Sequence, residues 1–400
     1  MTEQPDLPTS PFDRPDILDI PPAVRRMRER GPVSRFRTMV GDEAWMVTRF
    51  AEARRLFLDP RLTRSHPDPE NAPRVTHSAL LDGSDWEYED YQAEYDNEAA
   101  MRALLAKSFS ARRMAALRPR IEALVDDLLT AMAEHGPPVD LVDALARPLP
   151  TLVICELLGV PHDERERFQK WSEQGADPMD ARGSRAAMGS LFASMGELVE
   201  RKRADPAEDV LSDLAAACEA GVLDAFSAGA MASGLLFAGN ATTVVVIQWG
   251  ALHLLTNPDQ WDALRRDPSL LASAVEEILR RRMSGGEALA HYAGADIEIG
   301  GVTIKAGDAV VMNLIGANHD PRAFERPDRF DISRSPNPHL AFGHGRHLCV
   351  GRNLARVELR VVFGRLVERF PTLRLAVPVD HLRPNDNPVV GGLRELPATW

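Results

Sequence analysis

The chain has little cysteine: Cys155, Cys218 and Cys349 are three in 400 residues, scattered so that they fit neither a disulfide framework nor a zinc site. A stapled secreted module is excluded, and a reducing cytoplasm is the expected setting. Positive charge is also scarce. Against 59 acidic side chains stand 47 basic ones, a net charge of −12, which argues against nucleic acid as a partner. No run of 18 wholly apolar residues occurs, and the opening Met-Thr-Glu-Gln-Pro-Asp has neither a basic n-region nor an apolar core, so no membrane partner is expected. No linker-like tract and no internal repeat divides the sequence. The expectation is a single domain over 1–400, with an irregular Pro- and Asp-rich segment over about 1–20.

What is present is mostly helical period. Amphipathic or apolar helical patterns cover 21–30, 50–58, 98–107, 114–134, 141–158, 162–174, 184–203, 258–266, 270–282 and 353–366. The stretch 224–256 is apolar nearly all round, which predicts a buried central helix. Strand patterns are few. They comprise a hairpin over 33–39 and 43–48 around Gly41-Asp42, short strands within 287–312 turning at Gly300-Gly301, and a β-like segment over 373–400 turning at Gly391-Gly392. The fold class is therefore mainly α with small β-sheets.

One stretch carries specific chemistry: Phe342-Gly-His-Gly-Arg-His-Leu-Cys-Val-Gly-Arg, running into the helical pattern that contains Arg356. Gly343 and Gly345 allow a tight turn and a close approach to a flat group. Gly351 opens a helix whose positive end lies near the Cys349 sulfur, and Phe342 can shield that sulfur from water. A thiolate needs such a setting, because a free thiol is mostly protonated at neutral pH. Cys155 and Cys218 lie in apolar helical runs and read as buried small hydrophobes.

The pattern Phe-Gly-x-Gly-x-His-x-Cys-x-Gly resembles the proximal cysteine signature of the cytochrome P450 superfamily, in its soluble bacterial form, with further landmarks from about residue 12 to the C-terminus. The resemblance implies a single-domain fold holding haem b between the long central helix and the cysteine-loop helix. Cys349 is then the axial thiolate, and Phe342, Gly343 and Gly351 shape its loop. Arg102, His347 and His291 are implied propionate anchors. Relatives carry an arginine where His291 stands. They carry a histidine where this chain has Glu98, so the propionate grip is expected to be altered.

Across the haem, the resemblance places Asn240, Ala241 and Thr242 at the oxygen site, with Ala238 against the cofactor. Relatives have an acid immediately before the threonine, and here that position is Ala241. Proton delivery is then expected from Thr242, from Asn240 with water, or from a substrate group. Gly239 inside a helix costs about 1 kcal/mol relative to alanine. It suggests a backbone ladder opened for a ligand, with a small-residue packing seam as the alternative.

Glu277-Ile-Leu-Arg280 matches the family's structural Glu-x-x-Arg pair, with His319 or Arg334 as third partner. The helical patterns at 162–174 and 184–203 match a mobile lid. The acidic segment holding Tyr88, Tyr91 and Tyr95 at i, i+3 and i+7, together with Phe237, Val389 and Val390, makes up the candidate substrate contacts. A solvated acidic loop is the plainer reading of that segment, and reception of an amine-bearing substrate the sharper one. With no flavin or iron–sulfur segment in the chain, electrons are expected from a separate ferredoxin or flavodoxin. Arg112, Arg113, Arg346, Arg352 and Arg356 are candidates for its docking surface. The implied activity is a monooxygenase using dioxygen on a small molecule of bacterial secondary metabolism. The alternatives are an oxidase that couples or desaturates, and a catalytically silent haem-binding protein.

Overall fold

The structure, a computed structural model, describes residues 7–78, 81, 91–283, 290–385 and 391–400, without the side chains of Tyr91 and Tyr95. Among these residues it has thirteen α-helices: α1 (Pro22–Arg30), α2 (Phe50–Leu56), α3 (Tyr91–Ser108), α4 (Ala111–His135), α5 (Pro148–Leu158), α6 (Arg165–Gly175), α7 (Ala181–Ala204), α8 (Val210–Glu219), α9 (Ala225–Leu255), α10 (Pro258–Arg266), α11 (Leu271–Arg280), α12 (Leu314–Asn318) and α13 (Arg352–Arg369). The strands are β1 (Val33–Arg37), β2 (Glu43–Val47), β3 (Leu62–Thr63), β4 (Val139–Asp140), β5 (Ala290–Ala293), β6 (Ile297–Ile299), β7 (Val302–Ile304), β8 (Ala309–Met312), β9 (Arg374–Leu375) and β10 (Pro397–Thr399).

The expected hairpins form. β1 and β2 pair antiparallel, and β6 and β7 pair around Gly300 and Gly301, whose φ of 58° and 82° are left-handed values that a glycine adopts without strain. The main sheet runs β1-β2-β8-β5-β3, which puts His291 on β5 opposite Val310. The pattern read as one helix over 141–158 is instead a π-turn, Val142–Ala146, running into α5. Pro148 and Pro150 have no N–H to donate, and the wider register is closed by Arg147 N–H donating to the Val142 carbonyl. Helix α3 starts seven residues before the pattern at 98–107, and Glu94 ties it to the sheet by accepting from the Arg64 and Ser65 backbone N–H groups.

Helix α9 is the axle of the core. Asp224 caps it by accepting from Ser227 N–H. By length and apolar composition it could cross a membrane, but more than half of its most apolar stretch is buried inside the protein. It is a core helix. Three of its glycines mark where other helices cross it. A Cβ on Gly239 would lie 2.6 Å from Ile154 Cδ1 of α5, and one on Gly250 2.4 Å from Phe363 Cζ of α13. A Cβ on Gly229 would lie 2.5 Å from the Phe192 carbonyl oxygen of α7. Gly239 is therefore a packing seam, which corrects the expectation of an opened ladder: α9 runs unbroken from Ala225 to Leu255 because the small residue admits α5.

Gly229→Ala should lower stability, since its new methyl group meets backbone that cannot swing aside; overpacking of this kind costs about 1–3 kcal/mol. Exposed Gly189, with nothing within 4 Å, is the control. Gly189→Ala should be neutral or stabilising by up to about 1 kcal/mol, and denaturant unfolding of the two proteins should separate them in opposite directions.

Candidate active site

The coil leading to the cysteine loop is held by a buried charge network. Glu277 and Arg280, both fully buried on α11, form a two-pronged pair at 2.7 and 2.8 Å. Arg280 also donates to the carbonyls of Asn318, Pro327 and Arg329. The third partner is Arg334, whose Nε lies 3.1 Å from Glu277; Asn337 and the Asp331 N–H donate to the same carboxylate. His319 instead accepts from Arg281. One helix thus pins several otherwise irregular turns.

A second clamp escaped sequence reasoning. Glu276, next to Glu277, binds Arg356 of α13 at 2.7 and 2.8 Å and His339 at 3.1 Å. Burial pushes the Glu276 carboxyl up, but the hydrogen bonds from Arg356 and His339 outweigh it and hold the group down at about 2. Arg356 also stacks its guanidinium 4.7 Å from the Phe342 ring centre. The adjacent Glu276-Glu277 pair was the available signal, although sequence alone could not name partners 63 and 80 residues away.

Within the loop, Gly343 and Gly345 take φ of 71° and 59°. A Cβ on Gly343 would meet the His347 carbonyl oxygen at 2.7 Å, and one on Gly345 the Phe57 oxygen at 2.9 Å. Phe342 O accepts from Cys349 N–H at 2.7 Å, which closes the loop. Cys349 is exposed at its end, yet protein atoms crowd it enough that burial pushes its thiol up. The Gly351 N–H and the charges of Arg102, Arg352 and Arg282 pull the other way.

Beside the sulfur lies a polar cluster. Arg102 donates to the Leu348 carbonyl at 2.7 Å, and Arg346 Nε donates to His347 Nε2 at 3.0 Å. That bond leaves the ring proton on His347 Nδ1, 3.8 Å from Glu98. Burial, aided by Arg346, Arg64 and Arg102, pushes the His347 imidazole down to about 3, so it is a neutral donor. Buried His291 meets the His347 ring edge-on, 5.1 Å between centres. The structure thus brings Arg102, His291, His347 and Glu98 together.

On α9, Ala238 and Thr242 are exposed one turn apart in the middle of the helix, with Ala241 and Phe237 half-buried beside them. Thr242 donates its hydroxyl to the Ala238 carbonyl at 2.7 Å. Asn240 does not share this face. Two residues are about 200° of helix turn, and Asn240 is buried against α5, accepting from Thr151 Oγ1 at 3.1 Å. Of the five arginines proposed as a docking surface, Arg113 pairs with Asp213, Arg356 with Glu276, and Arg346 donates to the Leu62 carbonyl. Arg352 reaches the Cys349 carbonyl at 3.2 Å, and Arg112 is exposed. Tyr88, Val389, Val390, the acids Asp82, Asp85, Glu87, Glu89 and Asp90, and the side chains of Tyr91 and Tyr95 lie outside the described residues.

An accessible thiol closed into a glycine loop, with arginine and histidine donors placed for carboxylates and a bare helix face bearing one hydroxyl, fits a haem-thiolate protein. The comparisons with known proteins agree. The sequence profile of the family described as Cytochrome P450 matches residues 227–393. Pentalenolactone synthase of Streptomyces exfoliatus is 43% identical over 403 residues, covering 99% of this chain and 100% of that protein. Vitamin D(3) 25-hydroxylase of Pseudonocardia autotrophica is 39% identical over 388 residues, 94% and 93% of the two chains. Among solved structures, the substrate-free pimaricin epoxidase PimD is 40% identical with TM-score 0.88, covering 99% of this chain and 100% of that one. The putative thioether synthase SgvP is 36% identical with TM-score 0.91, covering 98% and 100%. The chain belongs to the cytochrome P450 family, with that family's fold, its haem b cofactor and its monooxygenase class of activity on small molecules.

Removing the Glu277 carboxylate leaves Arg280 buried and unpaired, a change that costs about 3–5 kcal/mol. Glu277→Ala should purify without haem or fail to accumulate. Arg334→Lys keeps one charge and loses only the fork, so it should retain haem with a lowered Tm; equal behaviour of the two variants would contradict the assigned hierarchy.

Proposed function

We propose that Cys349 is the axial ligand of the haem, that Arg102, His347 and His291 hold its propionates, and that Thr242, Ala238 and Ala241 form the oxygen-binding face. The observation that carries this reading is the accessible Cys349 flanked by that donor cluster. Bound haem supplies a metal that takes up dioxygen and electrons, with the thiolate pushing electron density toward O–O cleavage. The chain's own contribution is to shield the sulfur with Phe342, to orient the ring plane through Arg102 and the histidines, and to offer one hydroxyl opposite.

Thr242 is the group that can move a proton on that face. Its hydrogen is given to the Ala238 carbonyl, so its oxygen is available to accept. Ala241 carries no acid to resupply it, and Asn240 points into the α5 seam. Protons then come through water at Thr242 or from a substrate group.

The working enzyme receives electrons in the cytoplasm from a separate ferredoxin or flavodoxin, with Arg112 and Arg352 the two of the five arginines that keep a surface role. Its substrate is a small molecule of secondary metabolism. Tyr88, Tyr91, Tyr95, Phe237, Val389 and Val390 remain its candidate contacts, and the acidic composition of the tyrosine segment supports an amine-bearing one. The relatives' printed names span an epoxidase, a hydroxylase and a thioether synthase. A second reading, coupling or desaturation without oxygen insertion, is favoured by Ala241 alone.

The reduced carbon-monoxide spectrum should show thiolate-ligated haem, and Cys349→Ala should abolish that band while other haem ligation persists; an unchanged spectrum overturns the ligand assignment. Ala241→Glu should raise product formed per electron and lower peroxide release. With labelled dioxygen, label in the product marks oxygenation and its absence marks coupling. In spectral titrations, amines should bind tighter than neutral compounds of the same shape.

A further inference from the structure

The carboxyl of Glu98 sits in the cluster placed to hold propionates, and it is poorly served there. Its Oε2 is buried and receives no hydrogen bond. The nearest charged group is Arg346 Nε and the nearest ring N–H is that of the neutral His347 Nδ1, each 3.8 Å away and beyond hydrogen-bond reach. The neighbouring guanidiniums are already engaged: Arg346 with His347 and the Leu62 carbonyl, Arg102 with the Leu348 carbonyl. The groups facing Glu98 are Glu94 and Arg102 from its own helix, Arg64 from the segment after β3, and Arg346 and His347 from the cysteine loop, with His291 of β5 behind His347.

A second carboxylate brought into this site cannot be ionised alongside the first without strong repulsion. Two carboxyls in one low-dielectric site resolve that conflict by keeping one proton between them. We propose that Glu98 and a haem propionate share one proton, making Glu98 a cofactor-positioning residue that ties haem retention to pH. The shared O–H is donated by one carboxyl to the ionised oxygen of the other, with the proton taken from solvent as haem enters. This rests on the propionate assignment made above.

The sign follows by linkage. Burial, then Glu94, raises Glu98 against the opposing charges of Arg346, Arg102 and Arg64. A propionate raises it further, so the binding contribution is complete below the free-state pKa and is lost as pH rises through the bound-state value. Haem should therefore leave faster at alkaline pH. Protonation of the axial thiolate gives the opposite slope, faster loss toward acid, so the direction identifies the group.

The test is the rate of haem transfer from the holoenzyme to excess apomyoglobin, roughly pH 6 to 8.5, where an ordinary carboxyl is already ionised. The rate should rise about tenfold or more for the native protein, the effect of one pKa unit. It should stay flat for Glu98→Gln. The native protein reconstituted with iron protoporphyrin dimethyl ester, which has no propionate charge, should also lose the slope, and this arm needs no variant. A slope shared by native and Glu98→Gln holoenzymes, or one that survives esterification, overturns the proposal. Arg102→Gln separates the two levels: if its effect on release also ignores esterification, the propionate assignment itself is wrong.

Discussion

Glu277 sits at the centre of this molecule because its cost of burial is offset in only one arrangement. A carboxylate with no solvent exposure needs every lone pair served, and Arg280, Arg334, Asn337 and the Asp331 N–H serve them together. Those donors come from segments far apart in sequence. The irregular coil from 318 to 340 therefore has a unique path despite containing little regular structure, and that path delivers the chain to Phe342. The thiol's position follows from electrostatics some distance from the sulfur.

Glu276 extends the same logic to the other side of the loop. By gripping Arg356 it fixes the start of α13, just after the Gly351 N–H that reaches Cys349, and it places the guanidinium over Phe342. Two adjacent glutamates on α11 thus hold the approach to the cysteine and the exit from it. The loop between them needs only two left-handed glycines to close.

What could be read in the sequence was what is local. The cysteine loop, the two hairpins and the buried helix all declare themselves within one short window, because turn chemistry and helical period act over a few residues. Arg334 could not be chosen over His319 from sequence, since both stand at comparable distances along a coil without period. The orientation of Asn240 is legible in principle, because helical phase alone sets it about 200° from Thr242. Gly239 shows the reverse case, where a residue conspicuous in sequence serves the neighbouring helix. The stretched 3.8 Å contacts of Glu98 depend on two distant chain segments meeting, and no pattern in either of them announces it.

The glycines of α9 also say where this enzyme can change over evolutionary time. With α5, α7 and α13 each crossing it at a position that admits no side chain, the helix backbone is a fixed datum. Drift toward a new product cannot proceed by tilting or sliding it. The freedom left on this helix is the identity of a few small side chains on its open face, Ala238, Ala241 and Thr242, each of which can be enlarged or made polar without disturbing a helix crossing. New chemistry in this lineage is thereby channelled into single substitutions there, and new substrate shapes into the loops.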